Sequence, residues 1–420
     1  MSFCLRRPYA RIAAAAWLLV SALVLASCSY LRVPAAQPAP QVVPPAVVAP
    51  AQGPLVPAPE STAPPTALPE TPPPLSSAGK VTVALLLPLT GPSRQIGQAM
   101  LDAAQMALYD LAGEQLELLS RDTKGTADGA AAAAQDVVGQ GAQLIIGPLL
   151  AAEVQAVKPI AQNAHVPVIA FSTEAQLAGN GTYLMGFLPS EEVARVTAYA
   201  HAQGHTRFAV LAPNTAYGQV VADAVKNAVA ANGATLSKSE FYDPDLTSMA
   251  TAVKRFAGEG VDYDALFLPE GGARLKVLVP QLPYFKIDPD QVKFLGTGLW
   301  DDPSLGTEPA LDGGWYAAPA PEARAAFEDR FNSLYHHKPP RLATLGYDAM
   351  ALAAVLARAP QGADFSDAAI TNPNGFSGLD GIFRFRPDGL VQRGLAVLEV
   401  EHNGDTIIDP APQSFENLSY

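Results

Sequence analysis

The chain has 420 residues, 49% of them hydrophobic and 16% charged, with a formal net charge of −13 at pH 7. That acidity, with no basic patch interleaved with aromatic residues, argues against nucleic acid as a partner. Two cysteines, Cys4 and Cys28, are too few for a disulfide framework or a cysteine metal site.

In chain order, Arg6, Arg7 and Arg11 come first, then an apolar run from Ile12 to Leu25 broken only by Ser21. The run is shorter than the roughly 20 residues a membrane-spanning helix needs, and it fits the core of a secretory signal. It ends in Leu25-Ala26-Ser27-Cys28, which resembles the lipobox of bacterial lipoproteins. The resemblance implies a signal peptide over 1–27 and a lipid on Cys28. Ser29 stands where an inner-membrane lipoprotein of this kind carries aspartate, so the expected place is the periplasmic face of the outer membrane. Loss of the signal removes Cys4 and three arginines, taking the net charge to about −16.

From Pro34 to Pro74, 15 of 41 residues are proline. Proline lacks a backbone donor and disfavours helix in the residue before it. Residues 28–79 are therefore expected to form a disordered, extended tether. At about 3.1 Å per residue, such a segment reaches on the order of 140 Å.

The remainder, 80–420, is longer than a single core usually organises, so two lobes are expected. Strands are predicted at Val81–Leu87, Gln115–Ser120, Gln143–Ile146, Pro167–Phe171, Arg207–Leu211, Thr235–Phe241, Tyr263–Leu268 and Gln291–Leu295. Helices fall between them. In the first, Leu101, Ala104, Leu108 and Leu111 share one face. Others run near Thr126–Val138, Ala151–Gln162, Glu191–Gln203, Gln219–Asn232 and Ser248–Ala257. Strands alternating with helices predict parallel sheets covered on both faces. The end of the chain differs, because alternating apolar residues in Gly381–Gly389, Leu395–Val400 and Thr406–Ile408 are separated by Asp-Gly and Asn-Gly, which are hairpin signals.

The order and spacing of several segments resemble the type I periplasmic binding fold of the leucine-binding kind. Val83 to Gly91 is similar to its first strand and turn. Gly141 to Pro148, Pro159 to Ala161 and Val166 to Ala170 are similar to its third and fourth strands and the helix between. Phe376 through Gly389 is similar to its closing hairpin. The resemblance implies an α/β fold of two doubly wound parallel-sheet lobes with a cleft between them. Lobe one would take about 80–188 and 320–358, and lobe two about 189–319 and 359–420. It further implies cleft positions at Thr90, Pro148, Leu149, Ser172, Thr173, Glu174, Tyr217, Glu270, Thr297 and Trp300.

Two functions fit such a fold. One is a solute-binding protein that delivers branched-chain or other amino acids to an importer. The other is the LpoA/LppC-type lipoprotein that activates a penicillin-binding protein, a peptidoglycan synthase of the membrane. Amino-acid binders hold the ligand carboxylate with hydroxyls and its ammonium with an acid. Here Leu149, Leu150, Ala151 and Ala152 stand where serines are typical, and Glu174 beside Ser172 and Thr173 repels a carboxylate. The family's acid is replaced within Gly296–Trp300, leaving Glu270 or Asp301 as substitutes. Residues 282–289 and 292–300 are also similar to the activator branch, which is the expected identity. One departure is that such activators carry a helical-repeat domain where this chain has its tether.

No sequence motif points to catalysis, a metal or a cofactor. His336-His337 is the sole histidine pair, and adjacent helical positions point apart. No Gly-x-Ser-x-Gly, Walker or His-Glu-x-x-His motif occurs. Asp288-Pro-Asp290 lacks the glycine and glutamate of a calcium loop. Asp122 reads as a residue of the cleft edge or as the cap of a turn near Gly125, and Trp300 reads as a core residue or as one at the cleft or at an interface.

Overall fold

In Val81–Leu87 (β1) the residues from Val83 onward are all buried. A continuous apolar run of this kind needs cover on both faces. Val83, Leu85 and Leu87 enter one core and Ala84 and Leu86 another. The computed structural model describes residues 80–112, 115–402 and 404–416. The signal, Cys28 and the proline-rich tether lie outside the described residues.

The first lobe continues with α1 (Arg94–Ala107), β2 (Leu116–Asp122), α2 (Ala127–Gly139), β3 (Leu144–Ile146), α3 (Ala151–Asn163), β4 (Val168–Ala170) and β5 (Thr182–Leu184). Its sheet is parallel throughout, in the order β2-β1-β3-β4-β5. Side chains close the helix starts. Thr126 Oγ1 accepts from the Gly129 amide, and Glu153 reaches back to the Leu150 amide at 3.0 Å. α1 differs from expectation, because it widens into a π turn over Leu108–Ala112. Leu101 and Ala104 are buried, whereas Leu108 and Leu111 only lean on the core.

The second lobe begins with α4 (Pro189–Ala202), which proline opens at its first position. β6 (Arg207–Pro213), α5 (Ala216–Ala231), β7 (Thr235–Tyr242), α6 (Leu246–Gly258), β8 (Ala265–Phe267), α7 (Gly272–Leu278), α8 (Gln281–Tyr284), β9 (Lys293–Gly296) and β10 (Trp315–Ala318) follow. Asp245 caps α6 through the Thr247 and Ser248 amides, and Thr215 caps α5 through Gly218. The chain then returns to lobe one in α9 (Pro321–Tyr335), α10 (Ala343–Ala357) and α11 (Asp367–Ile370). It ends in β11 (Phe376–Gly378), β12 (Gly381–Phe385), β13 (Val391–Arg393), β14 (Ala396–Glu399) and β15 (Thr406–Asp409).

The lobe-two sheet has the order β15-β14-β10-β9-β8-β6-β7. Its strands from β7 to β10 are parallel, and β14 and β15 add an antiparallel edge. Both hairpin signals form antiparallel pairs, but they serve different lobes. β11, β12 and β13 make a separate sheet whose Phe383, Phe385 and Val391 join the lobe-one core beside Leu345 and Met350. Ile370 joins it too. Residues 367–393 thus pack with lobe one, where the expectation assigned everything from 359 onward to lobe two. The cause is period-two patterning: Phe383 and Phe385 share one face of β12 and need an apolar partner. The β12–β13 turn also covers the β5 edge, with the Leu184 amide donating to Gly389 O at 2.8 Å.

Candidate functional site

Loops at the carboxyl ends of both sheets enclose a cavity of about 670 Å³ between the lobes. Open parallel sheets gather loops and helix N-termini at this edge, which is why ligands bind there. Lobe one contributes the start of α1 (Ser93, Ile96), the loop after β3 (Leu149 to Ala151), the loop after β4 (Phe171 to Glu174) and Phe187, Arg341 and Leu342. Lobe two contributes Pro189 and Glu192 of α4, Tyr217 of α5, Gly298, Leu299 and Asp301 after β9, and Ala318 and Pro319 after β10.

Of the residues singled out in the sequence, Leu149, Ser172, Thr173, Glu174 and Tyr217 line this cavity. Pro148 sits behind the wall, its carbonyl accepting from the Phe171 amide at 3.0 Å. Thr90 is elsewhere: its hydroxyl donates to Asp122 at 2.7 Å. Asp122 also accepts from the Leu89 and Lys124 amides, so it fastens the β1–α1 turn to the end of β2. Thr297 is fully buried and pairs with the Tyr217 hydroxyl at 2.8 Å. Glu270 is buried away from the cleft, accepting from Tyr242 at 3.0 Å and from Arg274 at 3.1 Å.

Trp300, a cleft candidate, is instead a core residue with no exposed surface. Its indole N–H donates to the Glu270 carbonyl at 3.2 Å. Gly296 makes this possible, since a Cβ there would meet the indole at 2.1 Å. The Gly-x-Gly stretch after β9 is therefore a seat for a ring, and the ring faces inward.

Sequence reasoning missed the charged groups that govern the cleft. Glu192 is 7% exposed and accepts from the Gly298 amide at 2.8 Å. Burial pushes its carboxyl up to about 7, against the pull of that amide and of Arg341. Asp301, a candidate partner for a ligand ammonium, already holds Arg324 through two nitrogens and Arg341 Nε at 3.1 Å. Burial disfavours its charge, but the two guanidinium groups prevail and keep the carboxyl below its usual range. Arg341 also pairs with Asp380 at 2.9 Å, donates to Thr344 and lies 4.3 Å from the Phe187 ring centroid. No short motif announces these residues, because Glu192, Asp301 and Arg341 come from three distant parts of the chain.

The same pairs bridge the lobes. Asp301 belongs to lobe two, and Arg324 and Arg341 to lobe one. On the other side of the molecule Arg386 of the β12–β13 turn meets Glu191 of α4 at 3.2 Å. Among the described residues, no cluster of three histidine, cysteine or acidic side chains is placed to hold a metal ion. No helix among them is long and apolar enough to cross a membrane. His336 ends α9 in the left-handed conformation, and the His337 ring packs on Phe331.

The protein-family model described as periplasmic binding protein matches residues 80–405. The chain is 25% identical over 218 residues to an uncharacterised protein of Rickettsia prowazekii (strain Madrid E), covering 50% of this chain and 58% of that one. It is 28% identical over 205 residues to the Leu/Ile/Val-binding protein BraC3 of Rhizobium johnstonii, covering 46% and 56%. It is 32% identical over 146 residues to the penicillin-binding protein activator LpoA of Photobacterium profundum, covering 34% and 23%. It thus spans less than two thirds of each relative. Among solved structures, a putative branched-chain amino acid ABC transporter protein from Rhodospirillum rubrum superposes with a TM-score of 0.67 at 20% identity, covering 78% of this chain and all of that one.

Proposed function

The chain belongs to the periplasmic binding protein family, and within it we propose a lipid-anchored, non-catalytic envelope protein that regulates a peptidoglycan synthase. The observation that carries this reading is the state of the cleft, in which the acids expected to hold an amino-acid ammonium are occupied or withdrawn and, among the described residues, no free cation faces a carboxylate. Asp301 is taken by two arginines, and Glu270, Thr297 and Trp300 are withdrawn from the wall. Glu174 and Glu192 face the place a carboxylate would occupy. A micromolar site needs about −8.2 kcal/mol, and hydrogen bonds to charged groups contribute about 1.5–3 kcal/mol each. Without them a small zwitterion is held at millimolar strength or weaker. The likeness to the LpoA segment supports a penicillin-binding protein as partner, and the Leu25–Cys28 motif supports an anchor at the outer membrane.

Crosslinking in cells with the full chain as bait tests the partner. Enrichment of a penicillin-binding protein, and stimulation of its glycan synthesis by the purified chain, are the expected results. Enrichment of importer membrane subunits instead would overturn the reading. Cys28→Ala should release the protein from membranes and abolish that stimulation in cells; wild-type fractionation of the variant would remove the anchor from the proposal. The importer reading is favoured by one observation, a cavity large enough for a solute, and by the likeness to BraC3.

A further inference from the structure

We propose that the interlobe cleft binds a small apolar amine, an ammonium group on an aliphatic or aromatic body, with the Glu192 carboxylate as its charge partner. This goes beyond the synthase reading and does not depend on it. The argument begins with the charges on the wall. Three carboxylates line the cavity, those of Glu174, Glu192 and Asp301, against one guanidinium, that of Arg341. Arg341 is already paired with Asp301 and with Asp380. Among the described residues Glu174 and Glu192 therefore make no ion pair, and Arg341 and Arg393 act on Glu192 only at longer range. Glu174 is exposed and is met by Gln176 at 2.7 Å.

Glu192 is the acid that matters, because it is largely buried and lines the cleft. Among the described residues its carboxyl accepts one hydrogen bond, from the Gly298 amide. A carboxylate so placed gains most from an ammonium that replaces the missing water. The rest of the wall is apolar, with Ile96, Leu149, Leu150, Phe171, Phe187 and Leu299 around it. Such a surface selects a hydrocarbon body with few polar atoms.

An added carboxylate on the ligand meets no free cation and no free α3 N-terminus among the described residues. The N-terminus of α3, which points at the cleft from lobe one, carries the Glu153 carboxylate on its Leu150 amide. Tyr217 has turned its hydroxyl to Thr297. The site thus discriminates an amine from the corresponding amino acid, the reverse of a zwitterion site.

Calorimetry on the detergent-solubilised full chain at pH 8 tests this with matched probes. Leucinamide should bind at least tenfold more tightly than leucine, and isoamylamine at least tenfold more tightly than isovalerate. Glu192→Gln, which keeps the shape and an acceptor for Gly298, should weaken both amines tenfold or more. Should that variant fold poorly, the pH profile of the wild type decides. Amine affinity should fall progressively as pH drops below about 7, where the buried Glu192 takes a proton. The groups facing Glu192 are Arg341, Arg393, Asp301 and Tyr217, the last with its hydroxyl pKa raised by burial. Equal binding of leucine or isovalerate, undiminished binding by the Glu192→Gln protein, a flat pH profile, or no amine binding up to millimolar concentration would each overturn the proposal.

Discussion

Glu192 shows how one side chain couples the site to stability. The folded carboxyl keeps its proton to about pH 7, whereas an unperturbed glutamate releases it near 4.5. Between those values the folded state binds more protons than the unfolded one, so this residue lowers stability as pH rises. Above 7 the loss is complete and level. Glu192→Gln has no such titration. Its melting temperature relative to wild type should therefore climb between pH 4.5 and 7 and then stay constant, by the equivalent of about 3 kcal/mol at most. Parallel melting curves across that range, followed by calorimetry or circular dichroism, would show that the carboxyl is not held neutral by the fold. Trp300 teaches the opposite lesson at the same scale. An aromatic after Gly-x-Gly at a strand end is legible as important, but not as inward-facing, since that depends on the space Gly296 leaves.

At the level of elements, the hairpin β12–β13 is the clearest case of a signal whose destination was hidden. Its alternation and Asp-Gly turn are local properties and were readable. That Phe383 and Phe385 pack on α10 and not on the second sheet follows from distant partners. Phe383→Ala should destabilise lobe one by about 3–5 kcal/mol, the usual result of emptying a buried aromatic site. Hydrogen exchange should then accelerate in α10 and β5 while the β6–β9 amides stay protected. Uniform acceleration across both lobes would contradict the packing described. α10 itself eluded prediction for a physical reason. Leu345, Ala349, Met350, Leu352 and Ala353 are all buried, as are Ala343, Ala354 and Ala357 at its ends. The stripe α10 exposes, Tyr347, Ala351 and Val355, is itself largely apolar, so the helix has no polar face there to give a periodic signal.

Across the whole molecule, the feature of consequence is that the lobes are joined by the protein's own ion pairs. Asp301 is fastened to Arg324 and Arg341 across the cleft, and Glu191 to Arg386 on another face. Both lobes supply this bridge from their own side chains. Removing the shared carboxylate leaves Arg324 paired with Glu328 alone and Arg341 with Asp380 alone among the described residues, and breaking a largely buried pair costs about 3–5 kcal/mol. Asp301→Asn should therefore lower the melting temperature and raise hydrogen exchange around residues 297–302 and 321–345. Wild-type exchange in those segments would mean that the bridge contributes nothing to holding the lobes.

The division between what was legible and what was not follows from range. The strands from β1 to β9 other than β5, the helices α1 to α6 and the closing hairpins rest on neighbours within a few residues, and such patterns are written in the chain itself. The order of the segments also carried the family, and with it the cleft loops at Leu149, Ser172 to Glu174 and Tyr217. The charge state of the cleft was decided by tertiary structure alone. Asp301 became unusable for a ligand only when α9 and the segment before α10 brought Arg324 and Arg341 against it. Glu192 became a buried acid only when β9 laid the Gly298 amide on it. Electrostatics inside a protein depends on distance and burial, and neither can be read from positions 23, 40 or 106 residues apart until the fold brings them together.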